Sequence, residues 1–454
     1  MADGVKGSLD AIQQSRLLRV LLIGFLVLLL QIPILMIQGL IGDRTATRRQ
    51  AVEDVTGKWG REQSVLGPVL VVPCLVRWTE EEEKSGKKKV QTAIRSASFL
   101  PEELQVDGKL DSEVRYRGIF GVPVYRLALQ VKGRFLPADF SDWGVGAEDI
   151  LWDRAELWVR ISDARAIQNQ AALLWNGAEV PFAPGLGDFG GAGSGIHVPL
   201  KGRMAGLGYD FSFPLSLNGS MGAYFAPLGR GTTVTLASNW SSPSFQGNWL
   251  PTDRKVRPDG FDAKWIVPSL GRNYPQKWMP GTGVMEEMEK SKFGVSLLIP
   301  VDVYRMSERS VKYESLFLLL TFLTLWMFEV LAKRRIHSLQ YLLVGAAMCL
   351  FYLLLLSVSE HVGFFAAYLL ASLAVVGLVT AYCAAVLKGV GRAAVVGGIV
   401  AALYFYLYIL LNNEDYALLL GSVGLFVILA AVRFLTRRTD WYESGEQGGP
   451  TRTP

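Results

Sequence analysis

The chain divides by where its apolar residues run unbroken and where they alternate. One unbroken run covers Leu17 to Ile41, and a block of further runs lies between Ser315 and Leu435. Between them, from Gly42 to Lys312, hydrophobic positions come in short stretches punctuated by proline and glycine. The first run, at 25 residues, is long enough to cross a ~30 Å hydrocarbon core with some tilt. It is too long for the core of a cleaved signal peptide. It also leaves through Leu40-Ile41-Gly42-Asp43-Arg44, with no small-residue cleavage site. The pattern predicts an uncleaved anchor, mildly kinked at Pro33.

The second block resolves at its polar breaks into five predicted helices, 315–332, 339–358, 362–387, 393–411 and 416–435. The breaks are Lys333-Arg334-Arg335-Ile336-His337-Ser338, Ser359-Glu360-His361, Lys388-Gly389-Val390-Gly391-Arg392 and Asn412-Asn413-Glu414-Asp415. They alternate basic, acidic, basic, acidic. The stretch before the first run carries Lys6, Arg16 and Arg19, and the stretch after the last carries Arg437 and Arg438. With six spans and the basic breaks inside, every Lys and Arg of the short loops is cytoplasmic, as the positive-inside rule asks. The expected layout is a cytoplasmic N-terminus (1–16), a first helix (17–41), a periplasmic domain (42–313), a five-helix bundle (314–436) and a cytoplasmic tail (437–454).

The large middle segment holds 17 of the 20 prolines and 10 of the 12 tryptophans. That spacing forbids long helices. Val69–Val72 before Pro73, the alternating Ala155–Ile161, Thr233–Leu236 and Phe293–Ile299 read as strands. Asp107-Gly108, Asn176-Gly177 and Asn218-Gly219 read as tight hairpin turns. Ala51–Trp59 and Arg305–Tyr313 read as helical flanks. The expected fold is an α+β membrane protein, with a β-rich, sandwich-like domain inserted between the first and second of six transmembrane helices.

Composition sharpens this. Half the residues are hydrophobic, 19% are charged, and the mean hydropathy is +0.26. A soluble globular chain carries roughly a quarter charged residues. A soluble cytoplasmic enzyme, a disordered chain and a nucleic-acid binder are excluded, the last because a net charge of +5 without a long basic block is no footprint. Of three cysteines only Cys74 lies outside the apolar runs, so a disulfide framework and a Cys-based zinc site are excluded in the middle segment.

Little else carries chemistry. Gly185-Leu186-Gly187-Asp188-Phe189-Gly190 has the letters of a dinucleotide fingerprint, but no helix follows it, and it reads as a loop. The three histidines, His197, His337 and His361, cannot converge in the expected topology, and no nucleophile elbow accompanies them. Asp163 and Arg165 after a strand read as a structural pair or an anion-binding fork. Glu80–Glu83 followed by Lys87–Lys89 reads as a solvated hairpin tip. Glu329 has Lys333 at i+4, an interfacial pair. Tyr404, Phe405, Tyr406 and Tyr408 read as anchoring or packing residues. The polar group at the outer ends of the spans, Glu360, His361, Glu414 and Asp415, is the candidate functional cluster. No cofactor or metal is expected.

Several blocks give the chain a resemblance to a known family. They are Gly67-Pro68 through Pro73, Ile161-Ser162-Asp163-Ala164-Arg165, Ser238-Asn239-Trp240 with Pro243-Ser244-Phe245, and Arg272-Asn273-Tyr274-Pro275. Gln340-Tyr341 to Gly345, Phe351-Tyr352 to Phe364, Glu414-Asp415-Tyr416 to Gly421, and Asp440-Trp441-Tyr442 complete the set. Nearly end to end, the chain resembles the CreD inner-membrane proteins of Gram-negative bacteria. Ser242-Pro243 departs from the His-Pro pair common there. The resemblance implies a multi-pass inner-membrane protein of envelope integrity, tied to a two-component regulon and to colicin tolerance and β-lactam phenotypes. It supplies no reaction. Three functions follow as expectations: a non-enzymatic envelope protein whose β-domain binds an envelope protein or lipid; a transporter or lipid-handling protein using the polar cluster; and a periplasmic hydrolase. The lipid bilayer is the expected partner, with no nucleic acid; the sequence leaves the oligomeric state open.

Overall fold

A computed structural model describes residues 16–81, 88–204, 208–299, 302–331, 336–387 and 389–437. The predicted cytoplasmic N-terminal segment before residue 16, the tip at 82–87, the basic break at Lys333–Arg335 and the tail after Arg437 lie outside the described residues. The chain forms two compact units, residues 47–300 and residues 1–46 with 301–454.

The first helix, α1 (Arg16–Trp59), runs unbroken through the apolar anchor, Pro33 and the predicted flank at 51–59. Among the described residues, seventeen strands follow in the β-unit. They are β1 (Gln63–Glu81), β2 (Lys88–Phe99), β3 (Glu103–Arg117), β4 (Phe120–Phe135), β5 (Glu156–Ile161), β6 (Ala172–Trp175), β7 (Ala178–Pro181), β8 (Ala183–Pro184), β9 (Gly195–Pro199), β10 (Tyr209–Ser220), β11 (Gly222–Phe225), β12 (Gly231–Ser238), β13 (Pro243–Gly247), β14 (Asp253–Arg257), β15 (Gly260–Pro268), β16 (Lys277–Trp278) and β17 (Phe293–Leu297). A short helix, α2 (Val284–Lys290), precedes β17.

These strands make two sheets over one apolar core. One sheet has the order β13-β17-β11-β1-β5-β9-β8, with β2 paired to β1 and β16 to β2; the other has the order β14-β15-β12-β3-β4-β10-β6-β7. Pairing is antiparallel except for β1 with β11 and β12 with β3, which are parallel. The core joins residues of both sheets, among them Leu66, Val69, Leu157, Phe213, Trp265 and Phe293. Each such side chain contributes roughly 1.5–3 kcal/mol by leaving water. β5, expected to alternate, is buried on nearly all positions of both faces because it lies mid-sheet. β1 runs on through Pro73, whose carbonyl accepts from the Leu151 N–H.

Only one of the three predicted turns is a turn. Asn176 (φ 45°) and Gly177 (φ 82°) join β6 to β7, and both need the left-handed region. Asp107-Gly108 lies inside β3 instead. There Asp107 accepts from the Thr235 hydroxyl at 2.7 Å, and a Cβ on Gly108 would meet Leu236 and Leu129 at 2.9 and 3.0 Å. Asn218-Gly219 lies inside β10, where a Cβ on Gly219 would sit 2.3 Å from the buried Tyr125 ring. Both glycines serve close packing rather than chain reversal. The charge-segregated stretch pairs as far as Glu81 with Lys88, and its tip is outside the described residues.

The helical unit contains α1 up to residue 46, then α3 (Val303–Lys312), α4 (Glu314–Leu331), α5 (Ser338–Val362), α6 (Phe364–Leu387), α7 (Val390–Asn412) and α8 (Ala417–Thr436). Among the described residues, five helices are long and apolar enough to cross a membrane, and the count is six where α3 and α4, bent by 47°, are taken as one span. Caps set the ends. Asp302 accepts from the N–H groups of Tyr304 and Arg305 to start α3. His337, expected in a loop, is the N-cap of α5: it accepts from the Leu339 N–H while Gln340 accepts from its own N–H. Gly345 lies where α1, α4 and α5 meet; a Cβ there would be 2.2 Å from Leu30 and 2.9 Å from Phe322.

Candidate functional site

The sequence placed Glu360 and His361 in a loop. The structure places them in the last turn of α5, which ends at Gly363 with φ 82°. From there the Glu360 carboxylate accepts three hydrogen bonds. Arg44 of α1 donates through Nε at 2.7 Å and Nη2 at 2.6 Å, and the Tyr304 hydroxyl of α3 donates at 2.7 Å. A planar guanidinium fork on a carboxylate is the geometry that best fixes two helices against each other. His361 is exposed beside it.

Glu414 and Asp415 lie in the turn between α7 and α8. Glu414 accepts from Arg305 Nη2 at 2.8 Å and pairs with Arg309 Nη1 at 3.3 Å, both on α3. Arg309 also donates to the Leu410 carbonyl. Asp415 is exposed. Among the described residues no hydrogen bond or ion pair joins Glu360 directly to Glu414. Glu360 and Glu414 are separate anchor points for α3, through the adjacent residues Tyr304 and Arg305.

Arg44, Tyr304, Arg305 and Arg309, the donors to the two carboxylates among the described residues, did not stand out in the sequence. Neither did Glu314. This first residue of α4 is buried, accepts from Gln31 Nε2 and the Ser315 hydroxyl at 3.2 Å, and keeps Oε1 buried without a hydrogen-bond partner among the described residues. The only signal was an acid at the edge of an apolar run.

The weaker candidates have partners within the protein. Asp163 and Arg165 pair with each other through two bonds of 2.9 and 3.0 Å, with Asp163 buried. The Arg165 guanidinium holds the Asp163 carboxyl below its usual range. Glu329 is buried and accepts from the Tyr341 hydroxyl at 3.2 Å; its predicted partner Lys333 is outside the described residues. Tyr404 packs against Phe351 and Tyr408 against Tyr368, so these aromatics pack helices. The Gly-rich loop joins β8 to β9 and is pinned by Glu156, which accepts from the Asp188 and Phe189 N–H groups; burial pushes the Glu156 carboxyl up. His197 Nδ1 lies 3.1 Å from the Gly185 carbonyl oxygen.

Comparison with known proteins adds identity. The family described as inner membrane protein CreD matches residues 15–442. The chain belongs to the CreD family. The inner membrane protein CreD of Escherichia coli (strain K12) is 34% identical over 417 residues, covering 92% of this chain and 91% of that protein. The match runs through both units, so the CreD family shares the inserted β-domain together with the helices around it. This is a multi-pass inner-membrane protein.

Proposed function

We propose that this CreD-family protein is a non-enzymatic envelope-maintenance protein whose β-domain binds an envelope protein or lipid, with the helices as its base. In this reading the β-domain is periplasmic and both termini are cytoplasmic, an orientation supported by the alternating charge of the short breaks. One observation carries the functional reading. Glu360 uses a single carboxylate to hold Arg44, just before the β-domain begins, and Tyr304, just after it ends. A carboxylate occupied in this way serves as a joint between the two chain crossings rather than as a substrate ligand. Such a joint suits a protein whose β-domain bears load from a partner. Colicin tolerance and a two-component regulon, implied by the resemblance, suit an envelope role of this kind.

The test is complementation of a deletion strain at equal membrane abundance. Glu360→Gln is expected to lose the envelope phenotype while the β-domain stays folded. Full complementation by Glu360→Gln overturns the reading. A second reading, transport or lipid handling, is favoured by Glu314, a buried carboxyl with one unpartnered oxygen inside the bundle.

A further inference from the structure

The span built from α3 and α4 differs from the others. α4 is apolar, whereas α3 reads Val-Tyr-Arg-Met-Ser-Glu-Arg-Ser-Val-Lys. Its depth can be read from its partners. Glu360 sets Tyr304 level with Arg44. At the other end of α3, Glu314 meets Gln31 of α1. From Arg44 back to Gln31, α1 covers about 20 Å, and from Tyr304 to Glu314 the chain covers about 15 Å, at the rise of a helix. Gln31 is in the middle of the apolar run, which continues past it through the exposed Leu35, Met36 and Leu40. α5 gives the same answer. Glu360 is in its last turn, while Cys349, whose thiol lies 3.9 Å from the carbonyl oxygen of Leu30 next to Gln31, is near its centre. α3 therefore descends through half the hydrocarbon layer.

Its outward stripe is charged. The side chains of Arg305, Glu308 and Lys312 are 66%, 57% and 65% exposed. Tyr304, Ser307, Ser310 and Val311 face inward. On α5, in the same half of the layer, the exposed residues are Leu350, Leu353 and Leu354. A charged stripe beside lipid is strongly unfavourable, and half-helices broken near the midplane are found where they border water.

We propose that the outward face of α3 forms one wall of a water-filled vestibule at the side of the bundle, reaching to the level of Glu314 and open to small polar solutes. The vestibule goes beyond the joint proposed above and does not depend on the orientation of the chain. Snorkelling of long side chains toward the surface is the competing account of the stripe, and a cysteine has no such reach.

The full-length chain carrying Lys312→Cys or Glu308→Cys is treated, in spheroplasts and in inverted vesicles, with a membrane-impermeant trimethylammonium methanethiosulfonate. The native Cys74, Cys349 and Cys383 are all buried, so the unsubstituted chain gives the background. Leu350→Cys is the lipid-facing control. The vestibule predicts modification at position 312 from one face at least tenfold faster than at position 350, with position 308 faster still. Equal rates at 312 and 350 from both faces, in protein present at normal abundance, overturn it. If Lys312→Cys does not accumulate, position 308 decides by the same comparison.

Discussion

Glu360→Ala removes the acceptor that joins α1, α3 and α5. Three contacts go, two from Arg44 and one from Tyr304, all at 2.6–2.7 Å. Breaking a fully buried pair costs about 3–5 kcal/mol, and an exposed pair is worth about 0–1 kcal/mol. The Glu360 side chain is 10% exposed and that of Arg44 34%, so solvent screens part of the loss. Tyr304 is buried and loses this acceptor, at a further cost of up to ~1–3 kcal/mol. The expected total is about 2–4 kcal/mol for Ala, and about 1–2 kcal/mol for Gln, which keeps the shape and one acceptor oxygen. The assay is detergent denaturation of the purified full-length chain, read by thiol labelling. Cys349 and Cys383 are buried in the helical unit and report its opening, while Cys74 is buried in β1 and reports the β-unit separately. Both Glu360 variants are expected to lower the midpoint at Cys349 and Cys383 and leave that at Cys74 in place. A cycle with Arg44→Gln is expected to show a coupling of about 1–2 kcal/mol, since contacting residues are not additive. Additive losses, or equal shifts at all three thiols, would refute the joint.

Three further outcomes are expected. Gly219→Ala drives a Cβ into the Tyr125 ring, and overpacking of this kind costs about 1–3 kcal/mol; a Cys74 labelling midpoint equal to wild type counts against it. Arg165→Gln removes the partner that holds the Asp163 carboxyl low, so the pair stabilises the fold above the unfolded Asp value of about 3.9 and loses that effect as pH falls through the lowered folded value. Wild type and Arg165→Gln are therefore expected to differ in β-unit stability at pH 6 and to converge in strong acid; a gap that widens in acid contradicts the sign. Asp415→Asn, at an exposed turn position, is expected to complement fully, whereas Glu414→Gln, which loosens α3 at Arg305 and Arg309, is expected to complement less well.

The spans were legible because an apolar run reports its surroundings residue by residue. Asn176-Gly177 was legible because both residues need positive φ. Asp107-Gly108 and Asn218-Gly219 carry the same letters for a different reason: the glycine makes room for Leu236 or for Tyr125, and sequence does not distinguish a reversal from a close approach. The acids of the site were found as polar residues at the ends of apolar runs. Their donors were not, because Arg44 is 316 residues from Glu360, and Arg305 is 109 from Glu414. Arg44 read as an ordinary charged flank, and Arg305 as part of an approach to the next span. α3 read only as an approach helix, because a polar helix carries no apolar run to set it apart.

The insertion of the β-domain has a consequence for biogenesis. α1 leaves the ribosome first, yet its polar residues Gln31 and Arg44 meet partners that lie 283 and 316 residues later. At ~5–20 residues per second, Arg44 waits roughly 15–60 s for Glu360 to be synthesised. The whole β-unit, ending at residue 300, is made within that interval. Its two sheets can close while α1 still stands in the bilayer without the helices that satisfy it. A mutation that slows closure of the sheets lengthens the time a nascent chain holds an unmatched anchor, so defects far from the membrane are expected to appear as quality-control loss of the entire protein.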